Sequence, residues 1–205
     1  MTKDVVELIT ADHREVEKLF QQLQAGGKDR VAVLDRVGAL LIAHSRAEEE
    51  RVYPVIAKNA PGEKGQVAHS EDEHEQAEQL IKRLQATDPE SKQFDTLVTE
   101  LVEAVKHHVE TEESEILPAL RQAVDEKQLR ELGTTFKERR EEALAEAEQE
   151  AAKRRRDDEP TKDELYRRAQ KEDIPGRSSM TKEELAGALE AQGFGPPAPT
   201  APRGG

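Results

Sequence analysis

Two segments of the chain carry the same pattern of chemical groups. Residues 44–54, HSRAEEERVYP, and residues 108–118, HVETEESEILP, both read His, three residues, Glu-Glu, and a Pro ten residues after the His. A similar repeat precedes each of them, DHREVEKLFQQL around His13 and EHEQAEQLIKRL around His74. The chain therefore repeats a helix pair in which the first helix carries one His and the second carries His-x-x-x-Glu.

Apolar residues recur at helical spacing in four long segments that are separated by turn residues. These segments are residues 3–24, 29–58, 64–85 and 91–123. Charged residues make up 37% of the chain and aromatic residues 3%, a mixture that favours helices around an aliphatic core. Short connections make neighbouring helices antiparallel, so the predicted fold class is all-α, with an up-down-up-down four-helix bundle over residues 1–124.

A fifth helix, long and charged, is predicted after the bundle, within residues 125–159. Leu129, Leu132 and Phe136 give its first part enough apolar surface to dock on the bundle. Beyond Lys137 the apolar content falls to Ala and one Leu among alternating charges. That pattern indicates a solvent-exposed helix or linker.

A small unit of two short helices is predicted over residues 160–193. Its segments TKDEL at 161–165 and TKEEL at 181–185 are near copies, and each has the capping-box spacing that starts a helix. The residues between them, IPGRSSM, are expected to form a loop. The Pro/Gly tail at 194–205 carries too little apolar surface to fold and is predicted to be disordered.

The polar residues of the repeats share faces with the apolar residues of their helices. His44 and Glu48 lie one turn apart on one face, and so do His108 and Glu112. Steps of three or four residues from each His of the repeats meet Leu, Val, Ile, Ala or Phe. The residues predicted to point into the bundle are therefore His13, His44, Glu48, His74, His108 and Glu112.

Two buried carboxylates need a positive partner, because burying each ionised group alone costs several kcal/mol. No Lys or Arg lies on those faces, and the chain has no Cys, which excludes thiolate ligands. A pair of metal ions bridged by Glu48 and Glu112, with two imidazoles on each side, would satisfy every group. Such ligands suit iron, manganese or zinc, and bridging carboxylates in a helical bundle favour two iron ions.

With these motifs the sequence resembles the hemerythrin-like HHE cation-binding family, whose helix pairs carry a His and then His-x-x-x-Glu, with Tyr-Pro or Leu-Pro downstream. The resemblance covers about residues 1–140. It implies that the six inward residues bind two non-haem iron ions, with both Glu bridging. It also implies binding of oxygen, peroxide or nitric oxide, and some bacterial members of the family remove peroxide as catalases do.

One position departs from the oxygen-carrying hemerythrins, which have a second His one turn before the His of the third helix. Ser70 stands at that position, and Glu71 and His69 beside it are the additional candidate ligands. Fewer protein ligands leave more open positions on the metal ions. This departure favours redox chemistry or sensing over simple carriage.

Four residues near the motifs are predicted to lie outside the site. Tyr53 is about half a helical turn from the inward face of its helix, which favours a packing role. Glu49 and Glu113 follow the two inward Glu by one position and are expected on solvated faces. His107 is expected at the surface.

An alternative function involves the C-terminal unit. The segment DELYRRAQKEDIPGRSSMTKEELAGAL resembles the helix-extended-helix motifs of the SAP-like and Rho N-terminal-like families. The alternative is an oxygen, redox or iron sensor or binding protein in which the linker reports the state of the bundle to this unit. The resemblance implies association of nucleic acid with residues 160–193. Acidic residues in the stretch offset its basic ones, which are Arg167, Arg168, Lys171, Arg177 and Lys182.

Charge and hydropathy bound the remaining partners. The net charge of −13 argues against broad electrostatic binding to nucleic acid or to an anionic membrane. The first residues lack the apolar core of a signal peptide, and the longest apolar run, residues 37–43, is far too short to span a bilayer. The sequence therefore predicts a cytoplasmic protein without a membrane partner.

Overall fold

The structure is a computed structural model that describes residues 3–27, 29–157 and 159–193. Every regular element among these residues is a helix, which confirms the all-α fold class. The bundle helices are α1 (Val5–Ala25), α2 (Arg30–Ala47), α3 (Tyr53–Asn59), α4 (Lys64–Gln85), α5 (Lys92–Thr111) and α6 (Leu117–Ala123). The later helices are α7 (Glu126–Asp157), α8 (Lys162–Lys171) and α9 (Lys182–Ala191).

The bundle helices pack in a ring. Helix α1 contacts α2 and α5, and α4 also contacts α2 and α5. Helices α2 and α3 follow one another through a π-helical turn, Glu48–Val52, and α5 and α6 through another, Glu112–Ile116. The four predicted helical segments are therefore present, and their short connections give the up-down-up-down order.

The two π-helical turns coincide with the repeated motif. The N–H of Tyr53 donates to the carbonyl of Glu48, and that of Leu117 to the carbonyl of Glu112, each five residues back. The proline of each motif lies in the first turn of the helix that follows. Because proline lacks an N–H and its ring collides with the carbonyl four residues earlier in an α-helix, a wider turn relieves the conflict.

Two apolar clusters fill the bundle, one on each side of a layer of polar residues. The first apolar cluster is built around Phe20, Leu40, Ile81 and Leu101. The second apolar cluster is built around Ile9, Ile56, Ile116 and Phe136. On α1, His13 lies between Ile9 of the second cluster and Val16 of the first. The corresponding positions of the other bundle helices follow the same order, so the polar layer is enclosed by hydrocarbon.

Helix α7 docks on the bundle over a longer stretch than the sequence predicted. Its predicted apolar anchors are buried, and so is Ala143, six residues beyond the expected end of the contact at Lys137. Arg139 donates two hydrogen bonds to the carboxylate of Glu50, at 2.8 Å and 3.0 Å. Pairing of the charged residues with the bundle explains why this part of α7 is not a solvent-exposed linker.

The chain divides into two compact units, Met1–Ala151 and Ala152–Gly205. In the second unit, α8 and α9 begin at Thr161 and Thr181, each of which forms the predicted capping box with the Glu three residues later. Leu165, Ile174 and Leu185 belong to the apolar core between these helices. The domain boundaries at 124/125 and 159/160 and the SAP-like resemblance stay predictions, and the tail at 194–205 lies outside the described residues.

Among the residues that the structure describes, no helix combines the length and the apolar character that crossing a bilayer requires.

A close backbone approach between α7 and α1 gives a test of this packing. A Cβ atom on Gly133 would lie 3.0 Å from the backbone nitrogen of Val5 and 3.1 Å from the carbonyl oxygen of Lys3. We expect Gly133→Ala to lower the free energy of unfolding by about 1–3 kcal/mol through this overpacking. Urea unfolding of the full chain followed by circular dichroism measures it.

The matched control is Gly65→Ala in α4, where the added Cβ would meet no heavy atom of the described residues within 4 Å apart from its chain neighbours and the backbone of its own helix. This change should leave stability equal or slightly higher, because Ala favours the helix over Gly by about 1 kcal/mol. Equal stabilisation by both substitutions would show that α7 does not approach α1 at this distance.

Candidate metal centre

The structure brings all six residues predicted to point inward into one cluster between the two apolar clusters. They come from four helices and the two π-helical turns, and none is more than 6% exposed. The carboxylates of Glu48 and Glu112 are completely buried. Helical spacing within each motif and the ring packing of the bundle together produce this convergence.

The cluster consists of two groups of ligand atoms that share a carboxylate. His13, His44, Glu48 and Glu112 form one group, and Glu48 forms the other with His74 and His108, with the atoms of each group within 4.8 Å of one another. Glu48 Oε2 lies 3.1 Å from His44 Nε2 and 3.5 Å from His74 Nε2. Glu112 Oε2 lies 3.2 Å from His13 Nε2 and 4.0 Å from His108 Nε2. Each carboxylate thus lies between an imidazole of one group and an imidazole of the other.

The outward nitrogen of every imidazole contacts a carboxylate that is outside the cluster. The pairs are His13 with Glu113 (2.8 Å), His44 with Asp12 (3.4 Å), His74 with Glu49 (2.8 Å) and His108 with Glu73 (3.0 Å). An ionised carboxylate only accepts hydrogen bonds, so Nδ1 carries the hydrogen and donates it. This leaves the lone pair on Nε2, the nitrogen that faces the cluster.

These outer carboxylates were missed from the sequence, where Glu49 and Glu113 were predicted to lie on solvated faces. That prediction was wrong, because both contact a His of a neighbouring helix and are only 37% and 26% exposed. The sequence contains a signal for them, because an acidic residue is directly next to His13, Glu48, His74 and Glu112. Asp12 and Glu73 precede a His, and Glu49 and Glu113 follow a Glu.

The inward atoms are all acceptors once the Nδ1 atoms donate outward. Among the described residues, none hydrogen-bonds to Nε2 of His13 or His44, to Oε1 of Glu48 or to either oxygen of Glu112. Lone pairs separated by 3.1–3.2 Å repel one another unless a cation lies between them. Buried nitrogen and oxygen acceptors that converge in this way fit a pair of metal ions.

Protons are the competing cations. Burial lowers the pKa of His44, but Glu48 and Asp12 outweigh this effect and hold that pKa well above its ordinary value. Burial raises the pKa of Glu112, but contact with the His13 imidazole and the charges of the neighbouring imidazoles lower it to about 2. A metal ion therefore has to displace a proton from His44 but none from Glu112.

Tyr53 has the packing role that was predicted, but the prediction that it points away from the cluster was wrong. It packs in the core at 1% exposure, but its hydroxyl donates to Glu48 Oε2 at 3.5 Å. Its ring stacks on His74, with centroids 5.9 Å apart and an interplanar angle of 11°. The π-helical turn adds one residue between Glu48 and Tyr53, which rotates the side chain towards the inward face.

The two additional candidate ligands do not join the cluster. Glu71 is exposed, and His69 is 54% exposed. Ser70 between them is buried at 1% and occupies the inward position one turn before His74. The 100° rotation per residue of α4 carries its two neighbours to either side of that face.

A small cavity adjoins the imidazoles on the side of the first apolar cluster. Its volume is about 20 Å³, room for one water-sized molecule, and its walls include Val16, Leu41, Ala77 and Val105. A surface cleft of about 260 Å³ shares His13, Val16 and Val105 with it. The imidazole side of the cluster is therefore next to a cleft that opens at the surface between α1 and α5.

Helix α7 also reaches the residues around the cluster. Arg140 donates from Nε to Asp12 Oδ2 at 2.5 Å, and the same oxygen faces His44 Nδ1. The ring of Phe136 meets the ring of His44 edge-on, with centroids 6.1 Å apart. One side of the cluster therefore depends on a helix outside the four-helix bundle.

Known proteins from two organisms are similar to this chain in sequence. An uncharacterised hemerythrin-like protein of Schizosaccharomyces pombe is 24% identical over 136 residues, 64% of this chain and 66% of that protein. A Nostoc protein named DNA nickase is 31% identical over 137 residues, 65% of this chain and 38% of that protein. The chain thus spans less than two thirds of the length of both relatives.

A solved structure has the same fold. The crystal structure of a hemerythrin HHE cation-binding domain-containing protein from Mycobacterium kansasii superposes with a TM-score of 0.63, at 20% identity, over 70% of this chain and 89% of that one. The family model of the hemerythrin HHE cation-binding domain matches residues 4–120, more than half of the 205-residue chain. The chain belongs to the hemerythrin HHE cation-binding family.

Proposed function

We propose that the chain holds two non-haem iron ions in the buried cluster and binds oxygen, peroxide or nitric oxide there, with catalase-like removal of peroxide. The proposed ligands are His13, His44, Glu48, His74, His108 and Glu112. The observation that carries the proposal is the set of buried inward atoms that have no hydrogen-bond partner among the described residues: Nε2 of His13 and His44, Oε1 of Glu48 and both oxygens of Glu112. The family of the chain, a cation-binding domain, supports the same conclusion.

Iron is favoured over manganese and zinc by the ligand set and by the fold. Four imidazole nitrogens and two carboxylates are of intermediate hardness, and bridging carboxylates inside a helical bundle are typical of di-iron proteins. Iron supplies reversible binding of small oxidants and redox chemistry, which zinc does not. Manganese would support similar chemistry, so metal analysis has to decide between them.

The protein groups around the cluster restrict what can reach it. The adjoining cavity has room for a water-sized molecule, and its apolar walls exclude larger polar substrates. Oxygen, peroxide and nitric oxide have two heavy atoms each and are close to that size. The carboxylates behind the four imidazoles keep each Nε2 directed at the cluster, which holds the site ready for a metal pair.

A second candidate function is a sensor, and the contact of α7 with the cluster favours it. Asp12 accepts hydrogen bonds from both His44 and Arg140, so the charge of the imidazole affects how strongly Arg140 of α7 is held. Helix α7 continues to Asp157, past the boundary between the two compact units. Its response to the cluster would be passed on to residues that precede the C-terminal helices.

Association with nucleic acid is part of this second candidate only. The name of the Nostoc relative, DNA nickase, is its support, and the chain spans 38% of that protein. Basic residues of the C-terminal unit such as Arg167 and Arg177 would contact phosphates, while the acidic residues beside them weaken the attraction. Retention of the full chain on DNA at low salt, lost at high salt, would support it.

Metal analysis and peroxide turnover test the first proposal directly. We expect about two iron ions per purified chain, with near-ultraviolet charge-transfer absorption, and oxygen release when peroxide is added. The double substitution Glu48→Gln and Glu112→Gln should remove most of the iron, because it replaces both carboxylates of the proposed ligand set with neutral amides. Elemental analysis and an oxygen electrode give the two readouts.

The matched control is Glu110→Gln, an exposed residue of α5 that pairs with Lys106. It should keep the iron and the absorption of the unaltered chain. A chain that holds no metal and takes up none on reconstitution would reject the proposed centre. Iron present without oxygen release, but with reversible binding of nitric oxide, would leave the sensor as the function.

The outer carboxylates give a second prediction. Glu49→Gln and Glu113→Gln each remove the charge that orients and polarises one imidazole, and we expect each to lower iron affinity about tenfold. Competition with a chelator measures the affinity. Glu50→Gln is the control within the same segment, because Glu50 pairs with Arg139 and not with an imidazole. Equal affinity in all three variants would contradict the orienting role.

Tyr53 is proposed as a positioning residue for Glu48. The small cavity lies beside the first apolar cluster, whereas Tyr53 belongs to the second, so its hydroxyl acts on the carboxylate and not on a bound ligand. Tyr53→Phe keeps the stacked ring and removes the hydrogen bond. We expect full iron content with shifted charge-transfer bands, and an unchanged spectrum would exclude this role.

A further inference from the structure

We propose that the chain carries a separate metal site on its surface, formed by His69, Glu73 and His107, which takes a divalent transition-metal ion of the zinc or ferrous class. This site goes beyond the proposed function, and it does not require the buried cluster to hold iron. In the sequence analysis, His69 was an additional candidate ligand of the buried metal pair and His107 was expected at the surface. The structure brings them together on adjacent faces of α4 and α5.

The spacing of the residues repeats the motif of the buried cluster. His69 and Glu73 are four residues apart on α4, the same spacing that separates His44 from Glu48 and His108 from Glu112. His69 Nε2 lies 3.4 Å from Glu73 Oε1, and His107 Nε2 of α5 lies 3.9 Å from the same oxygen. The three ligand atoms lie within 4.8 Å of one another, a separation that one ion can bridge with small side-chain movements.

Two imidazoles and one carboxylate are a ligand set with a defined preference. Nitrogen and oxygen donors of intermediate hardness suit zinc and ferrous iron, and a three-residue set leaves coordination positions for water. The imidazoles of His69 and His107 are 54% and 69% exposed, so an ion reaches them from solvent without any rearrangement of the bundle. The site is therefore open, in contrast to the buried cluster.

Glu73 is held in place by the interior of the bundle. It is only 11% exposed, and its Oε2 accepts a hydrogen bond from His108 Nδ1 at 3.0 Å. Its other oxygen is thereby turned towards His69 and His107. A carboxylate fixed in this way loses less conformational entropy on binding a cation than a free surface Glu does.

The shared carboxylate also links the two sites. An ion on Glu73 Oε1 draws negative charge away from Oε2, which weakens the hydrogen bond that His108 donates to it. His108 is one of the imidazoles of the buried cluster. Metal at the surface site therefore acts on the ligand strength of that imidazole through one carboxylate.

Zinc stoichiometry of the full chain tests the site. We compare the unaltered chain with His69→Ala, His107→Ala and Lys106→Ala at one buffered concentration of free zinc, by dialysis and elemental analysis. Lys106 is the matched control, because it is next to His107, is 73% exposed and pairs with Glu110. We expect one zinc ion fewer per chain in each His variant, and no loss in the Lys106→Ala variant.

The same comparison in the Glu48→Gln and Glu112→Gln background separates this site from the buried cluster. If the buried cluster binds no metal at all, the unaltered chain still holds one zinc ion and each His variant holds none. Equal zinc in all chains would overturn the proposal, and so would loss in only one His variant, since a lone exposed imidazole is not a chelate. Far-ultraviolet circular dichroism confirms that each variant is folded.

Discussion

The structure depends on buried acceptor atoms that face one another at the centre of a helical bundle. Two carboxylates without exposure and four inward imidazole nitrogens lie in one layer between two apolar clusters. Enclosing hydrocarbon lowers the local dielectric, so the mutual repulsion of these atoms is strong unless a cation is present. The bundle and its cation are therefore a single energetic unit: the helices supply the acceptors, and the cation makes their burial tolerable.

The duplicated sequence explains why this layer is supported on every side. Each helix pair supplies three inward residues and two outer carboxylates, and each outer carboxylate serves an imidazole on a neighbouring helix. Asp12 of α1 reaches His44 of α2, and Glu49 of the turn after α2 reaches His74 of α4. The second copy repeats these contacts and closes the ring. The orientation of each imidazole thus requires correct packing of two helices, which couples the site to the fold.

The sequence predicted the parts that depend on helical spacing alone. Residues one turn apart, such as His44 and Glu48, share a face in any regular helix. The inward cluster could therefore be predicted from the spacing of its residues along the sequence. Tyr53 was misplaced because the π-helical turn before it breaks the regular count. Glu49 and Glu113 were assigned to solvent because their partners lie on other helices, and only tertiary packing brings those partners near. The docking of Arg139 and Arg140 was not predicted for the same reason. A run of charged residues is typical of a solvated helix, and the sequence does not show that Glu50 and Asp12 lie beside these two arginines.

The outer carboxylates also decide how far the influence of the cluster extends. Glu113 is shared between His13 and Arg14, whereas Asp12 is shared between His44 and Arg140 of α7. Ligand chemistry that changes the charge on His44 changes the pull of Asp12 on Arg140, because one carboxylate serves both groups. Only the second of these contacts leaves the four-helix bundle. A change at the cluster therefore has a direct physical route into α7, and the two proposed functions, enzyme and sensor, differ in whether that helix responds.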